Sequence, residues 1–387
     1  MNYNFDEIIS RRGTNSIKWD KIADDNVLPM WVADMDFKTA PAVIEALSKK
    51  VEQGIFGYSV IPALFYDSII NWWETSHRIK LEKEWLLPVP GMIPALSAII
   101  RAYLQQGDQI IVQSPVYNHF FTLIENCGCN AVENHLLYEN ETFQMDFTDL
   151  ELKASDPQTK MLLLCSPHNP IGRVWTQEEL EKIASICSKH KVMVVSDEIH
   201  ADLVYENDQH IPFVSTAEDY DLISVTCGSP CKTFNLSSLP VSYVISKDEK
   251  VLKRIEKVLT IQETATINPF AVEALIAAYN HGRSWMEELK EYLHGNYEYL
   301  RTFCNEYLPN ISVSPLQATY LVWLDCSTFG KSSNELSKLL FKEEKLWLNS
   351  GTMYGSSGEG FIRMNIACPR QVLEEGLRRL EKYINKK

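Results

Sequence analysis

Short apolar segments that each run into a polar turn recur along the middle of this chain, and they limit its fold more than any other feature. Residues 161–165, 192–196 and 222–226 have the length and the aliphatic content of strands buried on both faces. Helical patterns separate the segments, and one of them begins with the capping box of Thr176 and Glu179. Strands that alternate with helices predict an α/β protein with a mostly parallel sheet and right-handed crossovers.

One polar side chain follows each of these segments, and the three are Asn169, Asp197 and Lys232. The carboxyl ends of the strands form the edge where open α/β sheets place their ligands. Burial favours the uncharged amine of a lysine, and that amine is the nucleophile that forms a Schiff base with a carbonyl cofactor. A buried carboxylate needs a positive partner, and the pyridinium nitrogen of pyridoxal phosphate (PLP) would supply one.

Each of these residues also has a plainer interpretation when it is taken alone. Lys232 is typical of a surface turn, Asp197 of the cap of the next helix, and Asn169 of an ordinary Asn-Pro turn. The interpretation as one site depends on their order along the chain, because each residue stands where a predicted strand ends.

With this order and spacing, the chain resembles the fold-type I PLP enzymes of the aspartate aminotransferase superfamily over nearly its full length. More narrowly, it resembles the MalY/PatB-type C–S lyases, which are cystathionine β-lyases. The narrower resemblance is carried by WVADMDF at 31–37, FGY at 56–58, PHNPIGRVW at 167–175, DEIHADL at 197–203 and KTFNL at 232–236.

The resemblance implies a PLP-dependent transferase-like fold of the α/β class, with a seven-stranded, mostly parallel sheet in a large domain and a smaller α+β domain. We expect the large PLP-binding domain over residues 41–278. We expect the small domain over residues 1–40 and 279–387, with the N-terminal arm lying over the active site.

The resemblance also implies the roles of the predicted catalytic residues, which are Lys232, Asp197 and Tyr117. Lys232 would hold PLP as a Schiff base and then remove a proton from the substrate, while Asp197 would keep the ring nitrogen protonated. Tyr117 would stack on the cofactor ring, although a core tyrosine at a helix start explains it equally well from the residues alone. Asn169 would donate its amide to the phenolic oxygen of PLP.

A glycine turn at Gly91 precedes a helix whose free N–H groups and positive dipole end suit a phosphate. The resemblance places the PLP phosphate there. It also implies that Tyr58 reaches the phosphate from the neighbouring subunit of a homodimer, whereas the residues alone also fit a turn with an exposed aromatic. The further cofactor contacts predicted on this basis are Gly91, Met92, Ile93, His200, Ser229 and Tyr58.

Arg363 lies inside an apolar strand pattern at residues 360–366, where its permanent charge requires an anion. The resemblance assigns this arginine to the α-carboxylate of the substrate, and the alternative is an interior salt bridge to Asp or Glu. Ala33 and Asn169 are predicted to contact the substrate beside it.

Among the positions that depart from the pattern of the resembled family, two concern the phosphate of PLP. Cys231 precedes the lysine where a hydroxyl residue is more usual, so the phosphate would depend on Ser229. Pro240 stands where many relatives have an arginine, so other groups would hold the phosphate. A nucleophilic role for Cys231 is not predicted, because no paired base is evident.

The composition excludes several classes of protein. The 387 residues carry 37 Lys and Arg against 51 Asp and Glu, a net charge of −14, which argues against nucleic-acid or anionic-membrane partners. Nine scattered cysteines without zinc-type spacing predict no metal site and fit a reducing cytoplasm. The polar N-terminus is unlike a signal peptide, and no apolar run approaches the ~20 residues of a membrane span.

The function predicted from the resemblance is α,β-elimination of L-cystathionine or a related cysteine S-conjugate, which gives a thiol, pyruvate and ammonia. One alternative is a PLP-dependent aminotransferase of class I/II, which would need a 2-oxo acid acceptor. A second alternative is a PLP-containing regulatory protein with incidental lyase activity.

Overall fold

The structure is a computed structural model that describes residues 2–205 and 208–386. Its helices are α1 Ile17–Asp20, α2 Pro41–Glu52, α3 Ala63–His77, α4 Met92–Tyr103, α5 His119–Asn126, α6 Phe147–Ala154, α7 Gln177–His190, α8 Phe213–Thr216, α9 Glu249–Ile261, α10 Pro269–His281, α11 Arg283–Tyr307, α12 Ser333–Glu344 and α13 Arg370–Ile384. Its strands are β1 Leu28–Pro29, β2 Leu86–Val89, β3 Gln109–Val112, β4 Asn130–Glu133, β5 Leu137–Glu139, β6 Thr142–Gln144, β7 Thr159–Cys165, β8 Met193–Asp197, β9 Ser224–Gly228, β10 Ser242–Ile245, β11 Ser312–Val313, β12 Leu321–Asp325, β13 Leu346–Trp347, β14 Asn349–Ser350 and β15 Phe361–Asn365.

The central sheet of the described residues has seven strands in the order β2-β10-β9-β8-β7-β3-β4. The pairs from β9 to β4 are parallel, and β10 runs antiparallel to both neighbours. Val194 belongs to the apolar cluster that includes α7, and Val195 to the cluster that includes α4, so β8 is buried on both faces. The predicted α/β class and mostly parallel sheet are confirmed.

The strand register brings the predicted site residues to one edge of the sheet. Asp197 at the end of β8 pairs with Cys165 of β7 and with Cys227 of β9. The turn with Asn169 follows Cys165, and the turn with Lys232 follows Cys227. Three neighbouring strands therefore end at the same level.

A second, antiparallel sheet has the order β11-β12-β15-β14 and carries Arg363 in its β15 strand. The N-terminal arm joins this part of the molecule, because β1 pairs in parallel with β13. Among the described residues, no helix has the length and apolar character needed to span a membrane.

Gly282 separates α10 from α11, and its lack of a side chain has a packing reason. A Cβ atom there would lie 2.4 Å from the Phe234 ring and 2.5 Å from the carbonyl oxygen of Ala278. The helix junction can therefore approach the lysine-bearing turn that contains Phe234.

The apolar residues between positions 131 and 137 predict one strand over this whole range, and this prediction is wrong. Strand β4 ends at Glu133, and the side chain of Asn134 donates to the carbonyl of Asp146 and to the carboxylate of Asp149. These bonds anchor the chain where it leaves the sheet, and Leu137 then begins the separate β5–β6 hairpin.

Candidate active site

The lysine-bearing turn leaves β9 at Ser229 and is closed by two backbone hydrogen bonds of 2.9 Å, from Phe234 to Pro230 and from Leu236 to Cys231. Lys232 does not point into bulk solvent. Its Nζ donates to the backbone carbonyl of Ala33 over 2.6 Å. Burial lowers the pKa of Lys232, and the negative charges of Asp34 and Asp197 oppose that effect. The environment favours the free amine that a Schiff base requires.

Asp197 is 3% exposed and forms no ion pair with another described residue. Its Oδ1 accepts one hydrogen bond of 3.1 Å from the backbone N–H of Ile199, so it also caps the following turn. Burial raises the pKa of Asp197 from 3.8 to about 7, an effect that Glu198 strengthens and Lys232 opposes. A cation placed beside this buried carboxylate would lower its pKa and favour its ionised state.

Arg363 crosses from the small sheet to the end of β7. Its Nη1 donates to Oδ1 of Asn169 over 3.1 Å, and its Nη2 donates to the carbonyl of Trp31 over 2.7 Å. The side-chain oxygen of Asn169 accepts from Arg363, so the amide N–H groups of Asn169 remain free to donate. Its predicted contact with the phenolic oxygen of PLP requires such a donor. The guanidinium also lies over the ring of Tyr354, 4.8 Å from the ring centroid.

The alternative of an interior salt bridge for Arg363 is wrong for the described residues. The side chain is 3% exposed, no described Asp or Glu oxygen lies within 4 Å of it, and its Nε is buried without a partner. A buried guanidinium that is left without an anion is costly, so its charge and its free N–H are available to a ligand carboxylate.

Tyr117 and His200 both lie within the electrostatic reach of this cluster. Burial raises the pKa of Tyr117 to about 12, with a further increase from Asp197 and an opposing effect of Arg363. Burial lowers the pKa of His200 to about 3, and the positive charges of Lys232 and Arg363 lower it further. His200 is therefore neutral, and its Nδ1 is buried without a partner.

Gly91 adopts a φ of +119°, and a Cβ atom there would lie 3.1 Å from Cβ of Pro240. Both the backbone angle and the close approach favour glycine. No side chain caps helix α4, which begins at Met92, so the N–H groups of Met92 and Ile93 are unclaimed by a cap. Pro240, at the position where the sequence resemblance leads us to expect an arginine, packs against this turn.

Two predicted cofactor residues are not placed at the site by the contacts within one chain. The Ser229 hydroxyl donates to the carbonyl of Val241 over 2.7 Å and accepts from the N–H of Cys231 over 3.2 Å, so it stabilises the turn internally. Tyr58 is fully exposed in the loop between α2 and α3. Both assignments stay predictions.

Cys231 is a buried thiol rather than a reactive one. Burial raises its pKa, and its Sγ lies near the carbonyls of Leu239 and Val241. A thiol with a raised pKa is a poor nucleophile, in agreement with the absence of a predicted role.

Three asparagines that sequence reasoning left without a role hold the arm against the site. Asn235 donates to the carbonyls of Met35 and Phe37, each over 3.0 Å. Asn365 donates to the carbonyls of Val32 and Asp34, and Asn349 donates to that of Trp31. Asn235 belongs to the KTFNL stretch that carries the family resemblance, so the sequence singled out this residue. Its role could not be predicted, because its acceptors are backbone carbonyls.

The residues present fit PLP. The uncapped start of α4 suits its phosphate. The unpaired Asp197 suits its ring nitrogen, Lys232 its aldehyde, and the amide of Asn169 its phenolic oxygen. The free edge of Arg363 is left for the carboxylate of an amino acid.

Residues 25–380 match the model of the aminotransferase class I and II family. The match spans most of the chain, so the chain belongs to this family, and the predicted family and fold class are confirmed. The chain is 41% identical over 384 residues to "Cystathionine beta-lyase PatB" of Bacillus subtilis strain 168, which covers 98% of this chain and 99% of that protein. It is 34% identical to "Protein MalY" of Escherichia coli K12, with 97% of each chain covered.

A solved structure of a PLP-bound C–S lyase from Staphylococcus hominis is similar to this chain over its whole length. The TM-score is 0.93, the identity is 31%, and 100% of both chains is covered. The similarity to C–S lyases therefore extends to the three-dimensional structure.

Proposed function

We propose that this protein is a PLP-dependent C–S lyase that catalyses α,β-elimination of L-cystathionine or a related cysteine S-conjugate. The observation that carries the proposal is the buried, unneutralised Arg363 beside Asn169, at the strand ends that also carry Asp197 and Lys232. The PLP cofactor and the lyase class predicted from the sequence are confirmed by the relatives, which include a cystathionine beta-lyase and a PLP-bound C–S lyase.

Arg363 gives the site its preference for an α-amino acid. Its free N–H groups face a carboxylate that the protein itself does not provide, and charge-assisted hydrogen bonds of this kind are the strong ones. The Ala33 N–H has no acceptor among the described residues and adds a second donor. These contacts fix the substrate Cα beside Lys232.

When bound, PLP supplies an aldehyde that condenses with the substrate amine and a ring that withdraws electrons from Cα. Asp197 would hold the proton of the ring nitrogen in place, because its carboxylate pairs with no cation among the described residues. Tyr117 would pack on the ring of the bound cofactor.

Lys232 acts as the base. Burial lowers its pKa, so its free amine takes the Cα proton at a pH where an exposed lysine would be protonated. The Cβ–S bond then breaks with its electron pair on sulfur. The sulfur takes up the proton held by Lys232 and leaves as a thiol, and water hydrolyses the released enamine to pyruvate and ammonia.

The test is incubation of the purified, PLP-loaded protein with L-cystathionine in the absence of any 2-oxo acid. Stoichiometric thiol, pyruvate and ammonia are expected. Turnover that appears only after a 2-oxo acid is added would instead support the aminotransferase alternative. The Lys232→Ala variant is the control for background hydrolysis.

The active site is completed by a second copy of the chain. This part of the proposal is supported by the loop between α2 and α3, which exposes Ile55, Phe56, Tyr58 and Val60 in a row of apolar side chains that a single chain leaves uncovered. We expect a homodimer of about twice 44.4 kDa by light scattering. Mixing Tyr58→Phe with Lys232→Ala subunits should restore part of the lost activity, because one hybrid site is then intact; no recovery would contradict a shared site.

We also propose the domain boundaries and compartment predicted from the sequence. The large domain spans residues 41–278, and residues 1–40 and 279–387 form the small domain. Nine free cysteines, eight of them buried, favour a reducing cytoplasm. Limited proteolysis and fractionation of cells test these two points.

A further inference from the structure

Asp202 has a buried carboxylate whose three hydrogen bonds serve none of the roles assigned above. Its Oδ1 accepts from the indole N–H of Trp72 and from Nε2 of His77, both over 2.9 Å. Its Oδ2 accepts from the hydroxyl of Thr233 over 3.0 Å. Burial raises the pKa of Asp202, but the hydrogen bonds from these donors outweigh burial and hold it below its usual value.

The donors come from parts of the molecule that are distant in sequence. Thr233 is fully buried and directly follows Lys232 in the turn after β9. Asp202 belongs to the segment that leaves β8 at Asp197. Trp72 and His77 lie on helix α3, and His77 is its last residue. The carboxylate therefore joins the segments that carry Asp197 and Lys232 and anchors both to a helix.

The backbone hydrogen bonds within the lysine turn fix its internal shape. The backbone bond from Glu198 to Cys227 joins the two segments before the turn begins, so the position of the turn itself depends on a further link. The hydroxyl of Thr233 provides a link of that kind, since its partner lies five residues beyond Asp197. A hydrogen bond to an ionised, buried acceptor is directional and costly to break. Active-site groups need this kind of support to stay within about half an ångström of their working positions.

We propose that Asp202 is a positioning residue for the reaction: through Thr233 it holds Lys232 at a fixed separation from Asp197. The inference depends on one part of the proposed function, namely that Lys232 is the residue that captures PLP. It assigns a role to a carboxylate that touches neither substrate nor cofactor.

The test compares threonine variants. Thr233→Val removes the hydroxyl and keeps the branched shape. We expect it to slow the covalent capture of added PLP, followed as growth of visible absorbance, by about tenfold, which equals ~1.4 kcal/mol. The value of kcat should fall with it while KM for cystathionine is unchanged, and Thr233→Ser should restore both rates.

Thr226→Val is the matched control, because Thr226 is buried in β9 and its hydroxyl has no partner among the described residues. Its capture rate should equal that of the parent. The inference is overturned if Thr233→Val captures PLP as fast as Thr226→Val, or if Thr233→Ser recovers nothing.

Asp202→Asn gives a second test if Thr233→Val does not fold. Its amide keeps the size of the side chain but cannot accept all three donors, so capture should slow by at least the same factor; a parental rate would overturn the inference. Capture of PLP needs no sulfur substrate. A parent that captures PLP but releases no pyruvate would therefore refute the lyase function alone, and the capture rates would still decide the role of Asp202.

Discussion

The amine of Lys232 and the hydroxyl of Tyr320 donate to the same backbone oxygen, that of Ala33, over 2.6 and 3.0 Å. The N-terminal arm is thus in direct contact with Lys232. A carbonyl shared by two donors binds each of them less strongly than it would bind one alone. Tyr320 therefore limits how firmly Ala33 can hold the protonated form of Lys232.

This relationship predicts the effect of Tyr320→Phe on the pH profile. Without the competing hydroxyl, the Ala33 carbonyl stabilises the ammonium form more strongly, so the pKa of Lys232 rises. Lys232 is a free amine only after the substrate has displaced it from the Schiff base, so the acidic limb of kcat against pH should move upward. The pH dependence of cystathionine turnover measures this shift.

Tyr205→Phe is the control for the loss of a buried tyrosine hydroxyl. Tyr205 donates to the carbonyl of Thr319 and not to that of Ala33, so the chemical change is the same but the acceptor shared with Lys232 is left intact. Its pH profile should match that of the parent. A shift of equal size in both variants would mean that Tyr320 has only a structural effect.

Arg363→Lys should weaken the binding of amino-acid substrates. A lysine keeps the charge but cannot offer two parallel N–H groups while also contacting Asn169 and Trp31. Loss of one charge-assisted hydrogen bond of ~1.5–3 kcal/mol corresponds to roughly a tenfold to hundredfold decrease in kcat/KM. Steady-state kinetics with cystathionine measures the decrease, and covalent capture of PLP should be unchanged.

Arg370 offers a matched control for Arg363. It donates from Nε to Oδ1 of Asn296 over 2.8 Å and lies over the ring of Tyr299 at 4.7 Å, so its surroundings are similar in kind. Arg370→Lys should leave KM unchanged. An equal effect of the two substitutions would contradict a carboxylate-binding role for Arg363.

Asp197→Asn should change how the stability of the cofactor-free protein depends on pH. Burial raises the pKa of Asp197 from 3.8 to about 7. Between these values the unfolded chain is ionised while the folded chain keeps the proton, so the parent loses stability as the pH rises and then stays constant. The loss is about 4 kcal/mol at 1.36 kcal/mol for each unit of pKa.

The variant lacks this titration, so its free energy of unfolding should rise relative to that of the parent between pH 4 and pH 8. Thermal unfolding of both cofactor-free proteins across this range checks the trend. Added PLP should then stabilise the parent more than the variant at pH 8, because only the parent offers an anion to the ring nitrogen. A difference that does not vary with pH would contradict the buried environment of Asp197.

The sequence was informative where a side chain carries the chemistry itself. Asn169, Asp197 and Lys232 follow buried strands, and the parallel register aligns the ends of those strands, so their convergence could be predicted. The location of Arg363 at a ligand site could be predicted, because a permanent charge within an apolar strand requires an anionic partner.

The parts that could not be predicted depend on backbone acceptors and on packing between distant segments. The carbonyls of Ala33 and Trp31 accept from Lys232 and Arg363. Every residue type has a backbone carbonyl, so the amino-acid sequence does not indicate which carbonyls act as acceptors. The hydrogen bond between Thr233 and Asp202 joins segments that no periodicity relates. Strand β4 was predicted too long, because apolar residues beyond Asn134 belong to the next hairpin.

The most direct test of the central claim is to find which residue carries the cofactor. The protein should be loaded with PLP, reduced with borohydride, digested and mapped by mass spectrometry. The added pyridoxyl mass is expected on Lys232, and it should disappear in Lys232→Ala. Labelling of another lysine in the parent, or cystathionine turnover that survives undiminished in Lys232→Ala, would contradict it.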